Sequence, residues 1–301
     1  MSESGSVTPQ LGILQRYYRP PYIGLLAFVA VLLAVPLAHS LVIAVRDIVG
    51  YENAGGLFLS IGVIAAVMLY IGARRNEEVS GTLLGFTAGM LIWIGWASYS
   101  FKFNEISLAM PMAEVAPGVK WPAHLLFIQG SLGICVATLL FFVFNKDTRC
   151  NAFRWLQKVL RMNLGDPSPA KDRNFCRITF LETIYVTWFC YATSLLLGDQ
   201  RFLGYDHPVT YGIAGGLAIW GLYLLWRLCH YTRVMAAVRY AIPTKAIFWI
   251  PFGELAPRYG FYEEVWLNPL QYSAAMWTVL VAFLVLIIAT GLVPQRRQSK
   301  R

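Results

Sequence analysis

Seven stretches of about 20 residues in this chain are almost free of charged side chains. At 1.5 Å per residue, a helix of that length crosses the roughly 30 Å hydrocarbon layer of a bilayer. Lipid offers no hydrogen-bond partners to an open backbone, whereas a helix satisfies its own polar groups. The sequence therefore predicts an all-α protein, a polytopic transmembrane helix bundle with about seven spans. The predicted spans are residues 22–45, 55–73, 81–100, 122–144, 178–197, 208–228 and 273–293.

The amino-acid composition excludes a soluble domain. Hydrophobic residues make up 57% and charged residues 14% of the chain, whereas soluble domains hold about 45–50% and about 25%. A net charge of +9 would suggest nucleic-acid binding in a soluble protein. In a membrane protein it reflects the excess of cations on the cytoplasmic side. We therefore expect the lipid bilayer, and no nucleic acid, as a partner.

Lys and Arg counts on the two sides of the spans predict that the N-terminus lies in the cytoplasm. In this orientation 17 cations lie in inner segments and four in outer loops. The transmembrane domain (22–293) then follows a cytoplasmic segment (1–21) and precedes a basic tail (294–301). Short loops and the absence of a targeting segment indicate a multi-pass protein of a bacterial inner membrane.

The basic tail conflicts with this orientation, because seven spans place its four cations outside. One further apolar segment, residues 246–257, has about 11 residues before a proline and contains Glu254. It is too short to cross a bilayer, so we predict that it is re-entrant or interfacial. A re-entrant segment would leave the tail on the outer side.

The predicted cytoplasmic loop 145–177 carries eight cations and contains the sequence CNAFRWLQKVLRM from residue 150 onward. Apolar Phe153, Leu156 and Leu160 recur at helical spacing, while the cation Lys158 falls elsewhere. This pattern predicts a basic amphipathic helix on the inner membrane surface, where anionic lipid headgroups would hold it.

Gly81, Gly85 and Gly89 repeat every four residues in the third predicted span. Small residues at this spacing allow two helix backbones to approach closely. We expect them to pack against another helix of the same chain. The alternative is an interface with a second copy of the chain or with partner membrane subunits.

Three of the four histidines, His39, His124 and His207, fall on the outer side of the predicted topology. Asp47 and Asp206 lie at the same level. Imidazole and carboxylate groups bind zinc, copper and iron, so these residues form a hypothetical site for a transition metal or haem. The alternative gives each residue a local role. Asp47 would pair with the arginine beside it, His39 would bond a neighbouring helix, and His207 would cap the sixth span.

Glu182 lies in the inner third of the fifth predicted span, where a carboxylate needs a partner or water. Arg227 and His230 end the sixth span at a similar level. A structural Glu182–Arg227 pair would satisfy the carboxylate. The functional alternative is a carboxylate that handles protons or cations beside a hydrated path.

The chain contains no Walker A motif, Rossmann fingerprint, GxSxG or CxxC, which disfavours ATP hydrolysis and thiol redox chemistry by this chain alone. Three function classes remain. The first is a subunit of a larger redox or metal-using membrane complex, with a cofactor or docking pocket at its outer face. The second is a proton- or cation-coupled transporter or channel that uses Glu182, and the third is a membrane-embedded enzyme with an apolar or lipid substrate. We favour the first, because a self-sufficient transporter or enzyme usually shows more intramembrane polarity.

Overall fold

The protein is 75% helical, which confirms the predicted all-α class. A small antiparallel hairpin, formed by β1 (Ala113–Ala116) and β2 (Val119–Trp121), joins two of the helices. Apart from residues 19–21, the segment 1–21 that we predict to be cytoplasmic and the predicted basic tail 294–301 lie outside the described residues. The computed structural model describes residues 19–50, 52–75, 77–146, 148, 151–166 and 173–291.

Seven of the nine described helices are long and apolar enough to cross a membrane, and each of the seven overlaps one predicted span. The two exceptions are α5 and α8. We call the end of the bundle at which α1 begins the inner face, and we call the opposite end the outer face. In chain order the helices are α1 (Tyr22–Val49), α2 (Gly55–Ala73), α3 (Glu78–Ser107), α4 (Ala123–Val143), α5 (Asn151–Val159), α6 (Phe175–Gly198), α7 (Pro208–Leu228), α8 (residues 234–258) and α9 (Ser273–Gly291).

Three of these helices depart from regular α geometry inside the bundle. A π-helical turn interrupts both α3 and α8, and α4 is interrupted at Ser131. The Ser131 hydroxyl donates to the carbonyl of Ile128 at 2.6 Å and accepts from Trp188 Nε1 at 2.7 Å. This pair of bonds ties the interruption in α4 to α6. The component segments are Glu78–Ile92, Trp93–Ser98 (π) and Tyr99–Ser107 in α3, Ala123–Gly130 and Leu132–Val143 in α4, and Val234–Trp249, Ile250–Leu255 (π) and Ala256–Arg258 in α8.

The segment 246–257 differs from the predicted re-entrant or interfacial loop. It is the second half of α8, a helix about 37 Å long at 1.5 Å per residue. Four charged residues lower the hydropathy of α8 below that of a lipid-facing span. The helix tolerates them because it packs against α1, α6 and α7 rather than lipid.

Contacts at its two ends show that α8 runs from one face of the bundle to the other. Arg233, which precedes α8, pairs with Glu78 at the inner end of α3. Tyr259, which follows α8, donates a hydrogen bond at 2.8 Å to the carbonyl of Tyr205 in the outer connection between α6 and α7. The chain therefore passes between the two faces once more than the seven apolar helices imply.

The last helix, α9, returns the chain to the inner face. Its first turn lies beside the outer half of α1, where the Ser40 hydroxyl donates to the Met276 sulfur at 2.9 Å. With eight passages, the described chain begins and ends at the same face. The conflict between the charge rule and a topology of seven spans therefore does not arise with the described helices.

The glycines of α3 pack against α6, as one of the two alternatives expected. A Cβ atom at Gly85 would lie 2.4 Å from the carbonyl oxygen of Cys176, and one at Gly89 would lie 2.8 Å from the Cβ of Thr183. A Cβ atom at Gly81 would lie 3.2 Å from the Cys176 nitrogen. The two helices approach this closely because these positions carry no side chain. An interface with a second copy or with partner membrane subunits stays a prediction.

The predicted amphipathic helix of the loop 145–177 is present as α5. Its apolar Leu156 is half-buried, while Lys158 is exposed. The Gln157 amide donates to the carbonyl of Val143 at 2.7 Å, which ties α5 to the inner end of α4. Its association with anionic lipid stays a prediction.

Candidate functional site

The central helix α8 carries ionisable residues at three levels of the bundle. Arg239 lies near its inner end, Lys245 at its midpoint and Glu254 near its outer end. Separations of six and nine residues correspond to about 9 and 13 Å along the helix axis. Ionisable side chains at membrane depth are costly, and those that persist usually face the bundle interior and have a function. We therefore take the surroundings of α8 as the candidate functional site.

At the inner level, Glu78 binds two arginines, one within α8 and one just before it. Arg239 Nη2 donates to Glu78 Oε1 at 2.6 Å, and Arg233 Nη2 donates to Oε2 at 2.5 Å. Arg239 also donates to Thr82 Oγ1 at 2.7 Å and lies over the ring of Phe175. The Glu78 and Arg239 side chains are 11% and 17% exposed, whereas Arg233 is 60% exposed. A mostly buried ion pair therefore joins α3 to α8.

Glu182 lies in α6 near this network, where it is partly buried and its charge interacts with that of Arg239. Within the described part of the chain, no hydrogen bond or ion pair holds its carboxylate. Arg227, the partner predicted from the sequence, lies instead with His230 beside a cleft on the inner face. The predicted Glu182–Arg227 pair is thus not formed.

At the middle level, Lys245 is only 4% exposed. Its ammonium group makes no ion pair or hydrogen bond with any residue that the structure describes. The thiol of Cys190 on α6 is close enough for the two groups to interact electrostatically. A buried charge without a counter-charge costs several kcal/mol. The described side chains around Lys245 therefore do not balance its positive charge.

Helix α6, which packs against α8, carries two buried hydroxyl groups. The Oγ1 atoms of Thr187 and Thr193 are buried and have no hydrogen-bond partner among the residues described. Thr187 lies at the midpoint of α6, one turn before Cys190. Most buried polar atoms in proteins are satisfied, so these two hydroxyls mark positions where water or a bound ligand would complete the hydrogen bonds.

At the outer level, Glu254 lies in the π-helical turn of α8. Trp249 Nε1 donates to Glu254 Oε1 at 3.0 Å, and the Trp249 ring packs on Trp266 with centroids 5.2 Å apart. The same ring stacks with His39 of α1 at 6.5 Å. The hydrogen bond of His39 stays within α1, where its Nδ1 atom lies 3.0 Å from the carbonyl oxygen of Val35. Single π turns inside α-helices are frequent at functional sites.

Glu264 adds a second carboxylate to this outer cluster from the connection between α8 and α9. Its side chain is 13% exposed, and its Oε2 atom lies 3.6 Å from Arg258 Nη2. Burial raises the pKa of Glu264 above its ordinary value, although the positive charge of Arg258 acts in the opposite direction. The outer cluster is defined as His39, Trp249, Glu254, Glu264 and Trp266.

The other predicted outer histidines have separate local partners. His124 Nδ1 lies 2.6 Å from Glu105 Oε2, and Lys102 pairs with the same carboxylate. His207 caps α7, where its Nδ1 atom accepts from the backbone N–H of Val209 at 3.2 Å. Neither histidine shares a hydrogen bond or ring contact with His39 in the described structure.

The two predicted aspartates also have local partners. Asp47 Oδ1 accepts from the Nε of the adjacent Arg46 at 2.6 Å, and Asp206 Oδ1 accepts from the Tyr211 hydroxyl at 3.4 Å. Among the described residues, no group of three His, Cys, Asp or Glu side chains could hold a metal ion. The hypothesis of a metal site built from the three histidines and two aspartates is therefore not supported.

The sequence analysis did not identify Lys245, Arg239 and Glu78 as site residues. It placed Lys245 and Arg239 in an inner loop, because it did not recognise α8 as a helix that passes through the bundle. The sequence did contain a signal for this helix. The segment from Val234 to Trp249 is mostly apolar, and Pro243 is its one residue typical of turns. Two cations inside such a segment indicate a helix covered by protein.

No known protein family, curated protein or solved structure matches this chain. The function is therefore argued from the residues of α8 and its neighbours. The described structure supplies the relevant observations: a buried cation, a partly buried carboxylate and unpartnered hydroxyl groups inside a helix bundle.

Proposed function

We propose that this protein is a membrane transporter that moves a small anion through the bundle. In this proposal Lys245 binds the anion, and Glu182 carries a coupled proton. The observation that carries it is the burial of Lys245 at the midpoint of α8 without an ion pair in the described structure. A bound anion would supply the missing counter-charge. Such a ligand can leave, whereas a carboxylate of the chain could not.

The residues above and below Lys245 support a path rather than a closed binding pocket. The unpartnered Thr187 and Thr193 hydroxyls lie on the neighbouring α6. The outer cluster provides titratable groups at one end of α8, and Glu182 lies beside Arg239 toward the other. Polar groups at all three levels are what the transfer of an ion between the two faces requires.

We expect purified protein in liposomes to give transient currents on a solid-supported membrane after a jump in anion concentration. The probes are chloride, phosphate, acetate and succinate, each applied at two pH values. Replacement of Glu182 by Gln is expected to reduce the current by about tenfold or more and to remove its pH dependence, because the amide cannot exchange protons.

The matched control is Glu114→Gln, which removes an exposed carboxylate from the β1–β2 hairpin. This variant is expected to keep the wild-type currents. Absence of current with every probe in the wild type, or equal loss in both variants, would contradict the proposed transport function.

A second candidate function is that of a subunit in a larger membrane complex, with a docking or cofactor pocket at the outer face. The outer cluster favours it, because Trp249 and Trp266 form an aromatic wall beside His39 and two carboxylates. Gentle extraction that yields a stoichiometric partner chain or a visible absorption band, without anion currents, would favour this candidate over transport.

The same proposal places the N-terminus and the tail 294–301 in the cytoplasm, with the bundle in a bacterial inner membrane. Its support is the cation excess on the inner face together with eight passages of the chain. A fluorescent-protein fusion after residue 301 is expected to fluoresce, whereas a fusion at residue 204 in the outer connection is expected to be dark. If alkaline phosphatase is fused after residue 301 instead, enzyme activity from that fusion would contradict this topology.

A further inference from the structure

A cleft of about 510 Å³ opens on the inner face where α7 ends and α8 begins. It adjoins the inner level of the candidate site through Arg233, but the proposed transport function does not use it. The residues of its walls carry two guanidinium groups, an imidazole, two hydroxyl groups and two aromatic rings. The residues that line it are Trp226, Arg227, His230, Tyr231, Thr232, Arg233 and Ala236.

The charges of this cleft are only partly balanced by the protein. Arg233 shares the Glu78 carboxylate with Arg239. Arg227 is exposed, and none of the described carboxylates pairs with it. His230, which also lines the cleft, is held by a bond between its Nδ1 atom and the carbonyl of Trp226 at 2.8 Å. Guanidinium groups bind phosphate oxygens through paired hydrogen bonds, so this arrangement suits a phosphate group.

An exposed apolar stripe on the surface of α7 extends from the cleft toward the midpoint of that helix. Ile219, Leu222, Tyr223 and Trp226 follow the spacing of one helix face, and all four are exposed. Ile219 is 72% exposed and Trp226 is 60% exposed. Tryptophan at the end of a span lies at the level of lipid headgroups. A cationic cleft above an exposed apolar stripe matches a phospholipid, whose phosphate and acyl chains are joined in this order.

We infer that the cleft formed by Arg227, His230 and Arg233 binds the phosphate of an anionic phospholipid, with the acyl chains along the apolar stripe of α7. Free phosphate would use the same cations but not the stripe. The stripe therefore favours the lipid as the source of the phosphate group.

The test is a titration of the detergent-extracted full-length protein with dioleoyl phosphatidylglycerol, followed by native mass spectrometry. Dioleoyl phosphatidylcholine serves as the zwitterionic comparison. Replacement of Arg227 by Gln is expected to weaken phosphatidylglycerol binding about fivefold, the usual effect of one cation near an anionic headgroup. The Arg227→Gln variant should bind phosphatidylcholine as the wild type does, and the exposed position of Arg227 leaves folding unaffected.

Arg75→Gln, in the connection between α2 and α3, is the matched control, because it removes one exposed cation elsewhere at the inner face. An equal loss of phosphatidylglycerol binding in both variants would overturn the assignment, since it would reflect general attraction to basic residues. Competition by inorganic phosphate distinguishes the two sources of the phosphate group. Displacement of the lipid by inorganic phosphate at a comparable concentration would overturn the lipid as the ligand.

Discussion

Replacing Lys245 with Met is expected to abolish the anion currents and also to make the bundle more resistant to unfolding. Methionine has a similar length but no charge, so the anion loses its binding group. At the same time the bundle no longer buries an ammonium without a counter-charge. Replacing buried charged groups by apolar residues of similar volume often stabilises a protein by about 1–4 kcal/mol. The measurements are currents on a solid-supported membrane and the unfolding midpoint in an SDS titration.

The combination of lost activity and gained stability separates a functional lysine from a structural one. Lys120→Met, in the exposed hairpin between α3 and α4, is the matched control and should change neither quantity. If Lys245→Met instead lowers the unfolding midpoint, the ammonium group contributes to packing or bonding. If the Lys245→Met variant keeps the wild-type currents, Lys245 is not the anion-binding group.

Replacing Glu78 with Gln is expected to destabilise the protein by about 3 kcal/mol, the usual cost of removing one partner of a buried ion pair. The amide cannot neutralise Arg239, whose side chain is 17% exposed and whose bonds go to Glu78 and Thr82. The contact between α3 and α8 would then hold an uncompensated guanidinium. An SDS titration of the full-length protein should show the lower unfolding midpoint.

The neighbouring Glu77 provides the control, because it is exposed and accepts a hydrogen bond from the Ser80 hydroxyl. Glu77→Gln should leave the midpoint within about 0.5 kcal/mol of the wild type, as expected for an exposed surface substitution. Similar midpoints for Glu78→Gln and Glu77→Gln would show that solvent screens the network and that it does not hold α3 to α8.

The lipid-facing spans could be predicted from the sequence because their signal is local. A helix that contacts lipid must be apolar over its whole length, so hydropathy alone identifies α1 and α2. The amphipathic α5 and the glycine spacing of α3 are also short-range patterns. Each depends on residues within a few turns of one another, and the structure places both as helices of the expected kind.

The site depends on contacts between residues far apart in the chain, which a single sequence does not reveal. Glu78 and Arg239 are 161 positions apart. His39 packs on Trp249 and not with the other outer histidines, because α1 is adjacent to α8. The predicted topology placed all three histidines on the outer side of the membrane. It therefore gave no information about the distances between their side chains.

The sequence by itself determined that this chain is a helical membrane protein, because burial in lipid constrains every residue of a span. Tertiary structure decided the role of residues 234–258, because the cost of a charge inside the bundle depends on the helices that surround it. Enclosure by α1, α6 and α7 makes a charged segment into the central helix α8. The same enclosure places Lys245 at the midpoint of the bundle interior.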